Sequence, residues 1–477
     1  MSADGGAGRA SAVDAALLAD LEAHVAARAA ATHCPSVSWG IVVDGRLAHQ
    51  AWLGSLGDGR SPTANSVYRI ASMTKSFTAA VVLMLRDAGA LSLDDPLSRH
   101  APEFAQLRAP TFDAAPLRIR HLLSMSGGMA NDDPWADRCM DIDDAQLDAA
   151  VAHGALFAGS TGEVFEYSNL GYGLLGRVVR NITGTPLQQW VSERLLAPLG
   201  MTRTTWTMPA HDDWARPHRV QDGAILPEGT PIPGDGALAP MGGLWSTVPD
   251  LARWVAWLAD AFPARDERDD GPLCRASRRE MQQMQRFAGM RNGVPNGYGF
   301  GLVVHAEPEL GTVVTHSGGL PGYGSNMRWL GDGQAGRRIG VIALANLTYA
   351  PMFALAGEVL ARLHAHGSIA ARSIEAPLLA LAARQLVALL AQWDDTVANA
   401  LFSANVAPDE AYARRRAEGE RLCAHCGGTL EILRVVAESA TSGRVELKTG
   451  GDVTASIELQ LAPLVPARVQ NYTVRLD

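Results

Sequence analysis

Ile70-Ala71-Ser72-Met73-Thr74-Lys75-Ser76-Phe77-Thr78-Ala79-Ala80 is the stretch on which the reading of this chain turns. A short apolar run, Val67 to Ala71, meets a long helical pattern here, with a serine at the joint. Lys75 follows one helical turn later, so its amine can lie on the same face as the Ser72 hydroxyl. Of 41 basic side chains, only Lys75 and Lys448 are lysines. Arginine keeps its proton in a protein, whereas a desolvated lysine can release it. A serine followed three residues on by a rare titratable amine makes an activated nucleophile the first hypothesis.

Bulk composition narrows the field. At 477 residues the chain has ample material for two domains, and its 47% apolar and 19% charged content is that of a globular protein. A net charge of −9, with no basic run longer than Arg414-Arg415-Arg416, argues against a nucleic-acid partner. Five sparse cysteines make no disulfide framework. No run approaches the roughly 18 apolar residues that span a bilayer, so no membrane association is expected. The small, polar start lacks the basic and apolar regions of a signal peptide, which makes the cytoplasm the expected compartment.

Outward from Ser72, the pattern predicts a disordered segment at residues 1–12 and a helix over 13–31. Val37–Val43 and Leu47–Leu53 read as a β-hairpin closed by Asp44-Gly45. The Ser72 helix is expected to stop at Gly89. Residues 91–201 are mostly helical, with a polar loop over 131–143 as a candidate lid. Strand-like runs return at 298–305, 312–316, 323–330 and 339–346, before a helix over 352–366. Terminal strands around a helical middle predict an α+β fold whose ends share one antiparallel sheet, with helices on both sides. The expected divisions are a catalytic domain over 13–366, a helical linker over 367–395, and a small α+β accessory domain over 396–477.

Three constellations can carry chemistry. Ser72 at a helix start gains N–H donors and a dipole that favours developing negative charge, with Lys75 to take its proton. Alone, an S-x-x-K match is more often an N-cap serine followed by a solvated lysine. Glu166-Tyr167-Ser168-Asn169 precedes a helix; Tyr167 can relay a proton if a cation lowers its pKa, and Asn169 can orient the lysine. Alone, this is more often a buried tyrosine beside an Asn cap. Thr315-His316-Ser317-Gly318-Gly319 ends a predicted strand, where the glycines admit a substrate backbone and the Gly319 N–H can serve an oxyanion.

In order and together, these three sets resemble the motifs of the serine β-lactamase and penicillin-binding-protein superfamily. The likeness is greatest to class C β-lactamases, family VIII carboxylesterases and D-aminopeptidases. Class A relatives carry S-x-x-K, S-D-N and K-T-G; here the last two read Tyr167-Ser168-Asn169 and His316-Ser317-Gly318. His121–Gly127, Phe165–Gly171, Met241-Gly242-Gly243-Leu244 and Gly299–Leu302 also match the family's habits, so the resemblance spans about residues 14–366. It implies a five-stranded sheet with a helical subdomain, acyl transfer to Ser72, shared acid and base roles for Lys75 and Tyr167, and orientation by Asn169. The implied oxyanion hole is the N–H of Ser72 and of Gly319, and no cofactor or metal is implied.

One departure guides the substrate. β-Lactamases and DD-peptidases usually grip the substrate carboxylate with a lysine where this chain has His316, an imidazole mostly neutral at pH 7. The expected activity is therefore a carboxylesterase on small acyl esters. A D-aminopeptidase or DD-peptidase-like amide hydrolase is the near alternative, and a non-catalytic peptide-binding or regulatory member the alternative of another class. Cys423-Ala424-His425-Cys426 lacks the second ligand pair of a structural zinc site, and no Gly-x-Ser-x-Gly supports an α/β-hydrolase. The C-terminal segment loosely resembles cystatin-like or nuclear-transport-factor-like accessory folds.

Overall fold

The computed structural model describes residues 14–108, 111, 113–231, 233–263, 269, 271–331, 338–368, 374, 376–449 and 452–476. The segment 1–12, expected to be disordered, lies outside the described residues. Contacts divide the chain into two units, Met1–Ala371 and Arg372–Asp477.

The first unit begins with α1 (Ala15–Ala31), β1 (Ser36–Val43) and β2 (Arg46–Gly54), followed by α2 (Thr74–Asp87), α3 (Asn169–Thr183) and α4 (Val248–Ala259). Then come β3 (Arg286–Arg291), β4 (Val294–Tyr298), β5 (Val303–Glu307), β6 (Gly311–Leu320), β7 (Tyr323–Leu330), β8 (Ile339–Ala345) and α5 (Met352–Ala365). The strands form one antiparallel sheet in the order β2-β1-β8-β7-β6-β5-β4-β3, so the chain's ends do share a sheet, in an α+β fold. All of β1 is buried because helices cover both its faces: Val37, Trp39 and Ile41 pack with α1 and α5, and Gly40 leaves room for Val248 of α4.

The sheet has eight strands rather than five. The expected strand over 298–305 is broken at Gly301, whose φ of +71° turns the chain against the Lys75 carbonyl. Before it, Asn292-Gly293, at φ 52° and 80°, folds β3 onto β4. That hairpin is half exposed and shows no apolar alternation; the Asn-Gly pair is the signal that marks it.

α2 is the centre of the first unit. Thr74 to Leu83 are all buried, in a core shared with Leu174 and Val178 of α3 and Met327 and Trp329 of β7. Its polar side chains are each satisfied: Thr74 Oγ1 accepts from the Leu244 N–H, Ser76 Oγ from Trp254 Nε1, and Thr78 Oγ1 donates to the Pro240 carbonyl. The 240–244 segment is thus bound along α2 by polar contacts. Ala88 is exposed where the helix ends.

The second unit contains α6 (Pro377–Ala391), α7 (Tyr412–His425) and a meander of β9 (Glu431–Ala437), β10 (Ser442–Thr449), β11 (Asp452–Leu461) and β12 (Val469–Leu476). The expected linker over 367–395 is corrected here. Leu379, Ala383, Leu386 and Leu390 of α6 share a core with Val445, Leu447 and Ile457, as the Leu/Ala-rich composition of that helix requires. Cys426 belongs to the same core, and among the described residues no cluster of metal-ligating side chains forms. Among the described residues no helix is long and apolar enough to cross a membrane.

Candidate active site

Ser72 lies in a 3₁₀ turn, Ala71–Met73, that leads directly into α2. Ala71 adopts φ +49°, a left-handed conformation uncommon for a residue with a Cβ. Its surroundings impose it: Ile70 N–H is bonded to the Leu244 carbonyl at 3.0 Å, and Ser325 Oγ donates to the Ile70 carbonyl at 2.8 Å. Gly318 of β6 lies against the same carbonyl, where a Cβ would overlap it. This glycine therefore serves the serine-bearing turn, a closer constraint than the substrate approach expected of it.

Lys75 is fully buried. Its Nζ lies 3.0 Å from Ser72 Oγ, 2.7 Å from Asn169 Oδ1 and 2.7 Å from the Met241 carbonyl. A neutral amine has two N–H groups and one lone pair. Asn169 and Met241 offer acceptors for both hydrogens, which leaves the lone pair for the Ser72 proton. Burial brings the amine down from 10.5 to about 8, against the opposing pull of Asp133, Asp137 and Asp132.

Asn169 is held from its other side. Its Nδ2 donates to Asp133 Oδ1 at 2.7 Å, and its backbone N–H donates to Asp132 Oδ1 at 2.7 Å. Asp132 Oδ2 also accepts from the Leu170 N–H, so one carboxylate caps α3 at its positive end. The loop expected to be a lid is thus part of the support for Lys75, with a short helix over Asp133–Ala136. Asp132 and Asp133 are residues the motifs alone did not identify, and Met241, within a stretch quoted for the resemblance, had no role assigned to it from sequence. The run Asn131-Asp132-Asp133 is a capping signal, but it caps a helix nearly forty residues away in sequence, which local pattern cannot reveal.

Tyr167 is half-buried and borders the same cavity as Ser72, with Lys75 Nζ 5.0 Å from its ring centroid. Burial pushes this phenol well above its usual range, with the nearby Ser72 hydroxyl opposing, so the expected lowering by a cationic neighbour is not what the structure contains. Tyr167 is a neutral phenol at the same cavity as Ser72. The loop that carries it rests on the 121–127 segment through the Glu166 N–H bond to the Met125 carbonyl, 2.8 Å.

His316 is buried in β6, and both ring nitrogens are committed. Nδ1 donates to the Ser317 carbonyl at 2.6 Å, and Nε2 accepts from the Tyr298 hydroxyl at 3.0 Å. Burial first, then Lys75, brings its pKa down to about 3, so the imidazole is neutral. Ser317 Oγ accepts from Asn326 Nδ2 at 3.0 Å. β6 pairs with β5 only as far as Thr315, so beyond it one strand edge is free of β5. Ser72, Tyr167, His316, Ser317, Gly318 and Gly319 border one cavity of about 460 Å³, while Lys75 and Asn169 sit behind it. Asp133, Asp137 and Tyr349 border it too, and the Tyr349 hydroxyl donates to Asp137 Oδ2 at 2.6 Å.

A turn that carries Ser72, a buried lysine 3.0 Å from its hydroxyl and a Tyr-x-Asn beside it are combined here with a family model. The model described as Beta-lactamase matches residues 21–366. The chain belongs to the beta-lactamase family. Similar proteins include the D-alanyl-D-alanine-carboxypeptidase/endopeptidase AmpH of Escherichia coli, 30% identical over 246 residues, covering 48% of this chain and 59% of that protein. Penicillin-binding protein 4* of Bacillus subtilis is 25% identical over 287 residues, covering 55% and 58%. The chain thus spans somewhat under two thirds of the length of these relatives. In fold, this beta-lactamase-family chain is similar to the octameric penicillin-binding protein homologue from Pyrococcus abyssi, with a TM-score of 0.63 and 20% identity over 96% of this chain and 98% of that one.

Proposed function

We propose that this beta-lactamase-family protein is a serine hydrolase that cleaves small carboxylic esters through an acyl-enzyme on Ser72. The observation that carries the reading is the Lys75 amine, 3.0 Å from Ser72 Oγ with its remaining hydrogens directed to Asn169 and Met241. In the first step Ser72 Oγ bonds to the ester carbonyl carbon as its proton passes to Lys75 Nζ. The bond to the leaving oxygen then breaks, and that oxygen takes a proton delivered through Tyr167 from Lys75. Water repeats the sequence in reverse: it gives a proton to Lys75, attacks the acyl carbon, and Ser72 Oγ leaves and is reprotonated. The backbone N–H groups of Ser72 and Gly319 receive the oxyanion in both steps. A neutral, internally bonded His316 favours esters, because it offers no cation at the position where relatives grip a carboxylate.

A second reading, amide hydrolysis by the same machinery, is favoured by the name of AmpH, a carboxypeptidase/endopeptidase. Rates on p-nitrophenyl acetate and butyrate, D-alanine p-nitroanilide and a chromogenic cephalosporin separate the two. Ester turnover that disappears in Ser72→Ala, with the melting curve unchanged, is the expected result. A fast cephalosporinase would overturn the inference drawn from His316, and ester hydrolysis surviving in Ser72→Ala would overturn the nucleophile.

A further inference from the structure

We infer that Arg291 is a specificity-determining residue of the Ser72 cavity, its guanidinium forming an anion subsite for substrates that bear a carboxylate away from the scissile bond. The inference rests on the reading of Ser72 as the nucleophile and adds the substrate class. Arg291 stands at the end of β3, beside the Asn292-Gly293 turn, and borders the same cavity as Ser72. It is the one cationic side chain bordering that cavity among the described residues.

Its state is that of a group waiting for an anion. Arg291 is exposed and, among the described residues, makes no ion pair. Its guanidinium lies 4.2 Å from the centroid of the Phe353 ring, another residue bordering the cavity. A guanidinium this close to a ring gains cation–π attraction, and its five N–H donors include ones that can meet a carboxylate. Arg328 also lies near this ring, 4.6 Å from its centroid, and is itself committed to Asn326 and the Phe353 carbonyl. Gly289 pairs with Asn296 and Arg291 with Val294, so Arg291 and Asn296 share a face of the hairpin. Asn296 borders the cavity and holds a buried side-chain oxygen with no partner. An amide rotated about its terminal bond presents N–H in place of oxygen, so this group can accept from a substrate or donate to its carboxylate.

The cavity is polarised. Asp133 and Asp137 border it together with Ser72, the first bonded to Asn169 and the second to Tyr349. An anionic group on the substrate is disfavoured beside those carboxylates and favoured at Arg291. His316 cannot take the role, since both its nitrogens are occupied within the protein.

The test uses two matched pairs of esters on the full chain. One pair, p-nitrophenyl butyrate and p-nitrophenyl hydrogen glutarate, differs by a carboxylate in the acyl part; the other, phenyl acetate and 3-acetoxybenzoate, by one in the leaving group. In Arg291→Gln the anionic-to-neutral ratio of kcat/KM is expected to fall roughly tenfold in one of the pairs. Arg291→Lys is expected to retain part of the preference, and added salt to weaken it in the unmutated protein. Unchanged ratios in both pairs, or equal losses on anionic and neutral esters, would overturn the inference. The same ratios measured as binding affinities by calorimetry in a Ser72→Ala background do not depend on turnover. Absence of all ester turnover with an Arg291-dependent binding preference would therefore count against the esterase reading alone.

Discussion

Asn169 separates Lys75 from Asp133: its Oδ1 accepts from Lys75 Nζ at 2.7 Å, and its Nδ2 donates to Asp133 Oδ1 at 2.7 Å. The amide passes orientation from the carboxylate to the amine without bringing negative charge into contact with it. A direct ion pair would hold the lysine in its protonated form.

Asn169→Asp removes that insulation. The new carboxylate would stabilise the ammonium and shift the rise of kcat/KM to higher pH. At pH 7 the loss is expected to be roughly 100-fold, recovering in part at alkaline pH. A pH–rate profile of the variant checks this; an unshifted profile would mean that the amide does not control the amine.

The same profile in the unmutated protein reports Lys75 itself. With the amine brought down to about 8 by burial, the neutral, proton-accepting form grows as pH rises. Activity is therefore expected to increase from pH 6 and level off above about 8. Lys75→Arg should remove turnover at every pH, because guanidinium keeps its proton. His316→Asn should leave the position of this limb unchanged, since the imidazole, with a pKa of about 3, does not titrate in the range.

Asp137 links the cavity to stability. Burial, aided by Asp133, pushes its carboxyl from 3.8 up to about 6 despite the Tyr349 hydrogen bond. Between those values the folded protein binds more protons than the unfolded chain, so stability falls as pH rises through the window. Asp137→Asn keeps an acceptor for Tyr349 and loses the charge. It is expected to be more stable by about 1–2 kcal/mol at pH 7.5, with the difference vanishing near pH 4. Denaturant unfolding at the two pH values measures both quantities.

Gly318→Ala tests the packing beneath the turn that carries Ser72. A Cβ there would collide with the Ile70 carbonyl and crowd Ala71, whose left-handed backbone presents Ser72. Both stability and turnover are expected to drop, stability by about 1–3 kcal/mol. Unchanged activity would show that the turn does not need its contact with β6.

The hairpin at Asp44-Gly45, the α2 boundaries near Ser72 and Gly89, and the order of the three motif sets were legible in sequence, because each depends on neighbours within a few residues. The hairpin of β3 and β4 was missed for want of apolar alternation, although Asn292-Gly293 marked it. The α6 helix was misplaced in a linker because periodicity reports that a face is apolar, not which partner covers it.

Ser72 and Lys75 stand one helical turn apart, and helix geometry alone puts them on a common face. What tertiary structure decided is the state and setting of those groups. The Met241 carbonyl, Asp133 behind Asn169, and Arg291 at the cavity arrive from distant parts of the chain. Burial, which no local pattern measures, brings Lys75 to about 8, keeps Tyr167 protonated and leaves His316 neutral. Proximity along a helix follows from the backbone; protonation and charge follow from desolvation and long-range contacts, which exist only once the chain has folded.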